Sequence, residues 1–94
     1  MPKRKSAPLA PYAPGEIHGD RLRARRLALN LSQFDLTRTS GVPQKTISPM
    51  ETGKRRHAFA FVAFNLARAL NTSIDYLLGG TDDPSPPRPP RKRG

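Results

Sequence analysis

Cysteine is missing from the chain. Disulfides and thiolate metal sites are therefore excluded, and a reducing cytoplasm is the expected setting. Histidine is scarce. His18 and His57 are too few to expect a zinc site, and no cofactor is expected. Acidic residues are also few, 7 against 17 Lys and Arg. They offer no carboxylate pair in a plausible pocket, and no Ser/His/Asp or phosphate-loop spacing accompanies them. An enzyme is not expected. Long apolar runs are absent as well: nothing approaches the ~20 residues that span a bilayer. Lys3-Arg4-Lys5 is followed by Ala-Pro-Leu-Ala-Pro-Tyr rather than an apolar segment, so no secretory signal is read.

What is abundant is positive charge and proline. The formal net charge is +10. Three basic groups face one acid in residues 1–18, ten face six in 19–83, and four face none in 84–94. An excess spread over core and both ends suits a partner with a continuous negative surface, and nucleic acid fits best. Many of the 11 prolines sit in the first 14 and last 11 residues. Proline lacks an N–H and pushes its predecessor out of the helical region, so neither end propagates a helix. The chain divides into a flexible basic arm over 1–18, a folded domain over 19–80 and a disordered Pro/Arg-rich tail over 81–94. A core of about 60 residues is small, but an all-helical one with local contacts is feasible.

Five helices are predicted in that domain. The first runs from Gly19 or Asp20 to Leu29, with Leu22, Arg26 and Leu29 on one face and Arg21, Arg23 and Arg25 on a solvated one. Asn30 ends it by tolerating the left-handed conformation. Ser32 caps the second helix, and Asp35 completes a capping-box pattern. Phe34 falls at an exposed position, and Thr37 where a close neighbour requires a small residue. Ser40-Gly41-Val42-Pro43 is a tight turn, with glycine supplying positive φ. The third helix starts at Pro43 or Gln44 and reaches Glu51 or Thr52. Pro49 lies inside it, and an interior proline costs ~3 kcal/mol. A regular helix over 44–48 with a distorted end is therefore expected. Phe59, Val62, Ala63, Leu66, Ala67 and Leu70 give the fourth helix its apolar face, which Phe61 and Phe64 broaden. Ile74, Leu77 and Leu78 bury a short fifth one.

Leu36, Val42, Ile47 and Met50 are spaced to pack the second and third helices together. This is the plan of a helix-turn-helix, whose second helix enters the major groove of DNA. Gln44, Lys45 and Ser48 would point outward. Glutamine pairs bidentately with adenine, and lysine donates to guanine. Lys54, Arg55 and Arg56 follow the third helix, where they would add affinity without sequence choice.

Arg21-Leu22-Arg23 and Arg26 with Leu31-Ser32-Gln33, then Ser40 to Ser48, Glu51 to Lys54, Leu66 to Ser73 and Asp75 to Thr81 stand in order. Over about 60 residues this block resembles the lambda-repressor-like DNA-binding domain of the Cro/C1 type, the xenobiotic-response-element family, and phage repressors in particular. The resemblance implies a compact five-helix all-α bundle that binds double-stranded operator DNA, usually as a homodimer on a palindrome. It implies base contacts by Gln44, Lys45 and Ser48. Gln33, Thr46, Thr52, Lys54, Arg55 and Arg56 would hold phosphates, Gln33 also buttressing Gln44. Arg26 and Glu51 would form a structural ion pair. Pro49 departs from the family's usual polar or basic residue, which costs one base contact. Thr37 replaces an alanine, and the loop before the fourth helix lacks its customary proline.

Other readings remain open at the level of sequence. Phe59, Phe61 and Phe64 suit an antitoxin or regulatory module whose apolar face binds a protein partner. Phe61 and Phe64 also suit a dimer interface with the fifth helix and Tyr76. The basic ends suit non-specific coating of nucleic acid, and Pro87-Arg-Pro-Pro90-Arg matches a PxxP ligand.

Overall fold

Five helices follow one another: α1 (Gly19–Ala28), α2 (Gln33–Ser40), α3 (Gln44–Glu51), α4 (Ala60–Ala69) and α5 (Ile74–Leu77). The computed structural model describes residues 12–13 and 15–87, and no strand occurs among them. Residues 1–11 of the expected arm and 88–94 of the expected tail, with most of the PxxP pattern, lie outside the described residues.

The local signals act as their chemistry dictates. The Ser32 hydroxyl accepts from the Asp35 amide at 2.9 Å, and the Asp35 carboxylate accepts from the Ser32 amide at 2.9 Å. That reciprocal pair satisfies orphan donors at the start of α2. Gly41 ends the helix with φ 80°. Asn30 and Asn71 take φ 59° and 55°, so both close their helices in the left-handed conformation. The Ser73 hydroxyl caps α5 by accepting from the Tyr76 amide.

Leu22, Leu36, Val42, Ile47, Met50, Leu66, Ala67, Leu70 and Leu77 form one buried cluster. It sits where α2 packs on α3 and α4, α1 on α3 and α5, and α4 on α5. The start of α1 comes so close to the end of α3 that a Cβ on Gly19 would strike the Met50 carbonyl.

Several expectations need correction. Pro49 does not break the third helix, and α3 continues unbroken to Glu51. Proline's fixed φ is helical; the ring removes the amide that would have bonded the Lys45 carbonyl and crowds that carbonyl, without ending the helix. The Pro49 carbonyl then accepts from the amides of Lys54 and Arg55, which folds the chain back after the helix. Arg21 and Arg25 are not a solvated face. Arg21 donates to the carbonyls of Tyr76 and Thr81, pairs with Asp82 at 2.6 Å and lies over the Tyr76 ring. Arg25 donates to the carbonyls of Leu70 and Asn71. Those carbonyls end α4, where the helix dipole favours a cation. Leu29 and Phe59 leave the predicted core and are exposed. Leu29 lies beyond the last turn of α1, and Phe59 is the extended N-cap before the first turn of α4. Thr37 is half-buried, and its hydroxyl finds no hydrogen-bond partner.

The folded unit also starts earlier than residue 19. Ile17 is fully buried. Its amide donates to the Arg56 carbonyl, and the His18 amide donates to the Leu77 carbonyl, each at 2.8 Å. Tyr12 stacks on His18 and accepts from the Gly19 amide. At the other end, Arg21 and Thr72 hold residues 81–84 against the bundle, Thr72 donating to the Pro84 carbonyl.

Candidate nucleic-acid interface

The N-terminal turn of α3 is open. Pro43 precedes it with an extended backbone and offers no side-chain cap, and the first turn carries no acid. The first intrahelical acceptor, Pro43 O, serves the amides of Thr46 and Ile47. The positive end of the helix dipole is thus free to meet negative groups. Gln44 and Lys45 are exposed there, and Ser48 is partly exposed one turn on. Spacing of i, i+1 and i+4 puts these three on one side of the helix. Ile47, Met50 and Glu51 are the buried residues of the helix, Glu51 lying one turn beyond Ser48 on the Gln44 side.

Beyond α3, Thr52, Lys54 and Arg55 are exposed. The Thr52 hydroxyl donates to the Pro49 carbonyl at 3.1 Å. Thr46 is half-buried and lines a cleft of about 470 Å³ with Met50, Arg55, His57, Ala58, Phe59 and Val62. Arg56 is engaged differently from its two neighbours. Its guanidinium lies 4.6 Å from the centre of the Tyr12 ring, pairs with Glu16 at 3.4 Å and donates to the Gly53 carbonyl. It ties the segment ahead of α1 to the turn after α3.

Arg26 and Glu51 form a buried bidentate pair. Arg26 Nε donates to Glu51 Oε2 at 2.6 Å, and Nη2 donates to Oε1 at 2.9 Å. The third nitrogen donates to the Leu31 carbonyl at 2.8 Å. The Glu51 hydrogen bond raises the Arg26 pKa, outweighing the opposite effect of burial. A charge-assisted fork of this kind fixes α1 against α3 geometrically. From Glu51 the hydrogen bonds continue outward. Gln33 Nε2 donates to Glu51 Oε1 at 3.1 Å, and Gln44 Nε2 donates to Gln33 Oε1 at 3.2 Å.

Of the residues singled out in the sequence, Gln33, Gln44, Arg26 and Glu51 are thus one connected chain. Lys45, Ser48, Thr52, Lys54 and Arg55 present polar groups along α3 and the turn after it. Tyr12, Glu16 and Ile17, which hold Arg56, were missed. Their only signal was an apolar Ile17 and a Tyr12 within an otherwise proline-rich stretch.

An all-helical bundle in which α2 and α3 cross a glycine turn, with α3 open at its N-terminus, is a helix-turn-helix domain of the lambda-repressor-like kind. A family model described as helix-turn-helix matches residues 22–77, and the chain belongs to that family, in its Cro/C1 type. Solved structures agree. The P22 c2 repressor in complex with a synthetic operator is similar at 35% identity and TM-score 0.63, covering 69% of this chain and 97% of that one. The solution structure of the DNA-binding domain of the same repressor matches at 34% identity and TM-score 0.62, covering 72% and 88%. The restriction-modification controller protein C.AhdI from Aeromonas hydrophila matches at 34% identity and TM-score 0.58, covering 63% and 88%. Among the described residues no helix is long and apolar enough to cross a membrane.

Proposed function

We propose that this protein is a sequence-specific transcriptional repressor that places α3 in the major groove of a palindromic operator and binds it as a homodimer. The observation that carries this reading is the open N-terminal turn of α3. It presents Gln44 and Lys45 to solvent in a domain whose solved relatives include a repressor bound to a synthetic operator. Gln44, Lys45 and Ser48 read base edges. Thr52, Lys54 and Arg55 hold phosphates, with Gln33 and Thr46 nearer the protein surface. Arg56 supports the interface from behind through its contacts with Tyr12 and Glu16.

Binding-site selection from random duplexes at two salt concentrations tests this. A recovered palindrome is expected, and recovery of no preferred sequence would overturn the reading. Gln44→Ala should weaken the selected site alone, by about tenfold, the value of one good base contact. Lys54→Ala should weaken all duplexes alike and flatten the salt slope by about one unit.

One feature favours a second reading. Phe59, Phe61 and Phe64 are 75%, 65% and 48% exposed, and the first two rings stack at 5.8 Å. Three neighbouring phenylalanines in water suit a protein partner, as in an antitoxin. Purification from the native host separates the readings: a stoichiometric second protein favours this one, and a clean self-dimer does not.

A further inference from the structure

We propose that Glu51, enclosed within the domain, is the positioning residue that decides which purine Gln44 selects. The inference rests on the reading that Gln44 faces base edges, and it adds the cause of the choice.

An unrestrained glutamine can turn either end of its amide outward. With the carbonyl oxygen and one N–H outward, it matches adenine, which shows an N6 donor and an N7 acceptor. With both N–H groups outward, it matches guanine, which shows two acceptors, O6 and N7. The same side chain in the same place thus reads two different bases according to the polarity of its inner hydrogen bond.

That polarity is set from the inside. The Glu51 side chain is 2% exposed and bidentate to Arg26, so it is a carboxylate that only accepts hydrogen bonds. Gln33 must therefore turn its NH2 group towards Glu51, which leaves its oxygen facing Gln44. Gln44 must turn its own NH2 group towards that oxygen. What remains to face outward is the Gln44 oxygen and one N–H, the adenine pattern. Reversal of either amide would set oxygen against oxygen or N–H against N–H. The second N–H of Gln33 stays free for a phosphate. Arg26 completes the device, because all three of its nitrogens donate within the domain and hold the carboxylate in one orientation.

The test uses duplexes of the selected operator that differ only at the purine facing Gln44, located as the position where Gln44→Ala loses discrimination. The wild-type protein should prefer adenine to guanine there. In Glu51→Gln the substituted amide can donate, the polarity is released, and the adenine-to-guanine affinity ratio should fall about tenfold or invert. A purely structural role would lower binding to both duplexes together and leave the ratio intact, which overturns the proposal. Because Glu51→Gln weakens the pair with Arg26, Gln33→Met provides a second variant: it breaks the middle link with that pair in place and should lose the same ratio. In the free protein, Glu51→Gln should shift the Gln44 side-chain amide resonances, two links away. Unchanged resonances likewise overturn the proposal. A wild-type protein with a preferred site and an unaltered ratio in Glu51→Gln sinks this inference alone. A wild-type protein with no preferred site sinks the DNA-reading interface beneath it.

Discussion

At the scale of single residues, glycine and arginine set the geometry of this domain. Gly19 opens α1 with no room for a side chain, since the Met50 carbonyl occupies the space a Cβ would take. Alanine is ordinarily the better helix former by about 1 kcal/mol. Here the sign should reverse, because the obstructing atom is backbone at the end of a packed helix. Gly19→Ala is expected to destabilise the fold by about 1–3 kcal/mol, the usual range for overpacking, read as a lower midpoint in urea denaturation. A stabilised variant would mean that α1 and α3 separate easily. The arginines of α1 show how little a residue's type says about its task. Arg23 is solvated, Arg26 is buried against a carboxylate, and Arg21 and Arg25 close the ends of α5 and α4.

At the scale of elements, α3 and α2 each make a measurable statement. α3 tolerates Pro49 because the ring's φ is helical and the orphaned Lys45 carbonyl belongs to an exposed residue. The lost hydrogen bond should be recoverable. Pro49→Ala is expected to raise the thermal midpoint, with a gain of up to ~3 kcal/mol bounded by the propensity difference. An unchanged midpoint would mean that proline's restriction of the unfolded chain offsets the bond. α2 depends on a charged cap. Hydrogen bonds from the Ser32 amide and then the Ser32 hydroxyl, with Arg38 nearby, hold the Asp35 carboxyl below its ordinary pKa. A lowered native value means stability that is present above the unfolded pKa and lost as pH falls through the native one. The urea midpoint should therefore fall as pH drops below the ordinary carboxylate range, about pH 4. Asp35→Ala should start lower and show a shallower acid limb. Equal acid limbs would remove Asp35 from the account. Glu16 acts in the same direction, lowered first by the Ala13 amide and then by Arg56 and His57.

At the scale of the whole molecule, the segment before α1 is part of the structure that carries the interface. Ile17 fills the core, and Arg56 joins Tyr12 and Glu16 to the turn that follows α3. Burying one such isoleucine is worth roughly 1.5–3 kcal/mol, a large share of what keeps a small domain folded. Removal of residues 1–18 should lower the thermal midpoint by several degrees, whereas removal of residues 1–11 should leave it nearly unchanged. If both truncations melt alike, the docked segment contributes nothing. Phage-repressor likeness extends over the bundle, while this added anchor depends on residues ahead of the matched 22–77 block.

The sequence alone determined the five helices, the Ser32–Asp35 cap, the left-handed ends of α1 and α2 and the faces of α2 and α3, because these follow from interactions within a few residues. Ser32 with Asp35, the left-handed Asn30 and Gly41, and the spacing of Leu36, Val42, Ile47 and Met50 are all local. It also determined which polar residues stand at the start of α3. Tertiary structure alone decided where the long cations go. The carbonyls that Arg21 and Arg25 reach lie 45 to 60 residues away in the chain, and no helical period encodes them. It alone decided that Phe59 misses the core, since a residue before the first turn does not follow the helix's face. It alone supplied the hydrogen bond from Gln33 to Glu51, which joins the expected Gln33–Gln44 contact to the expected Arg26–Glu51 pair and exists only once α1, α2 and α3 have met.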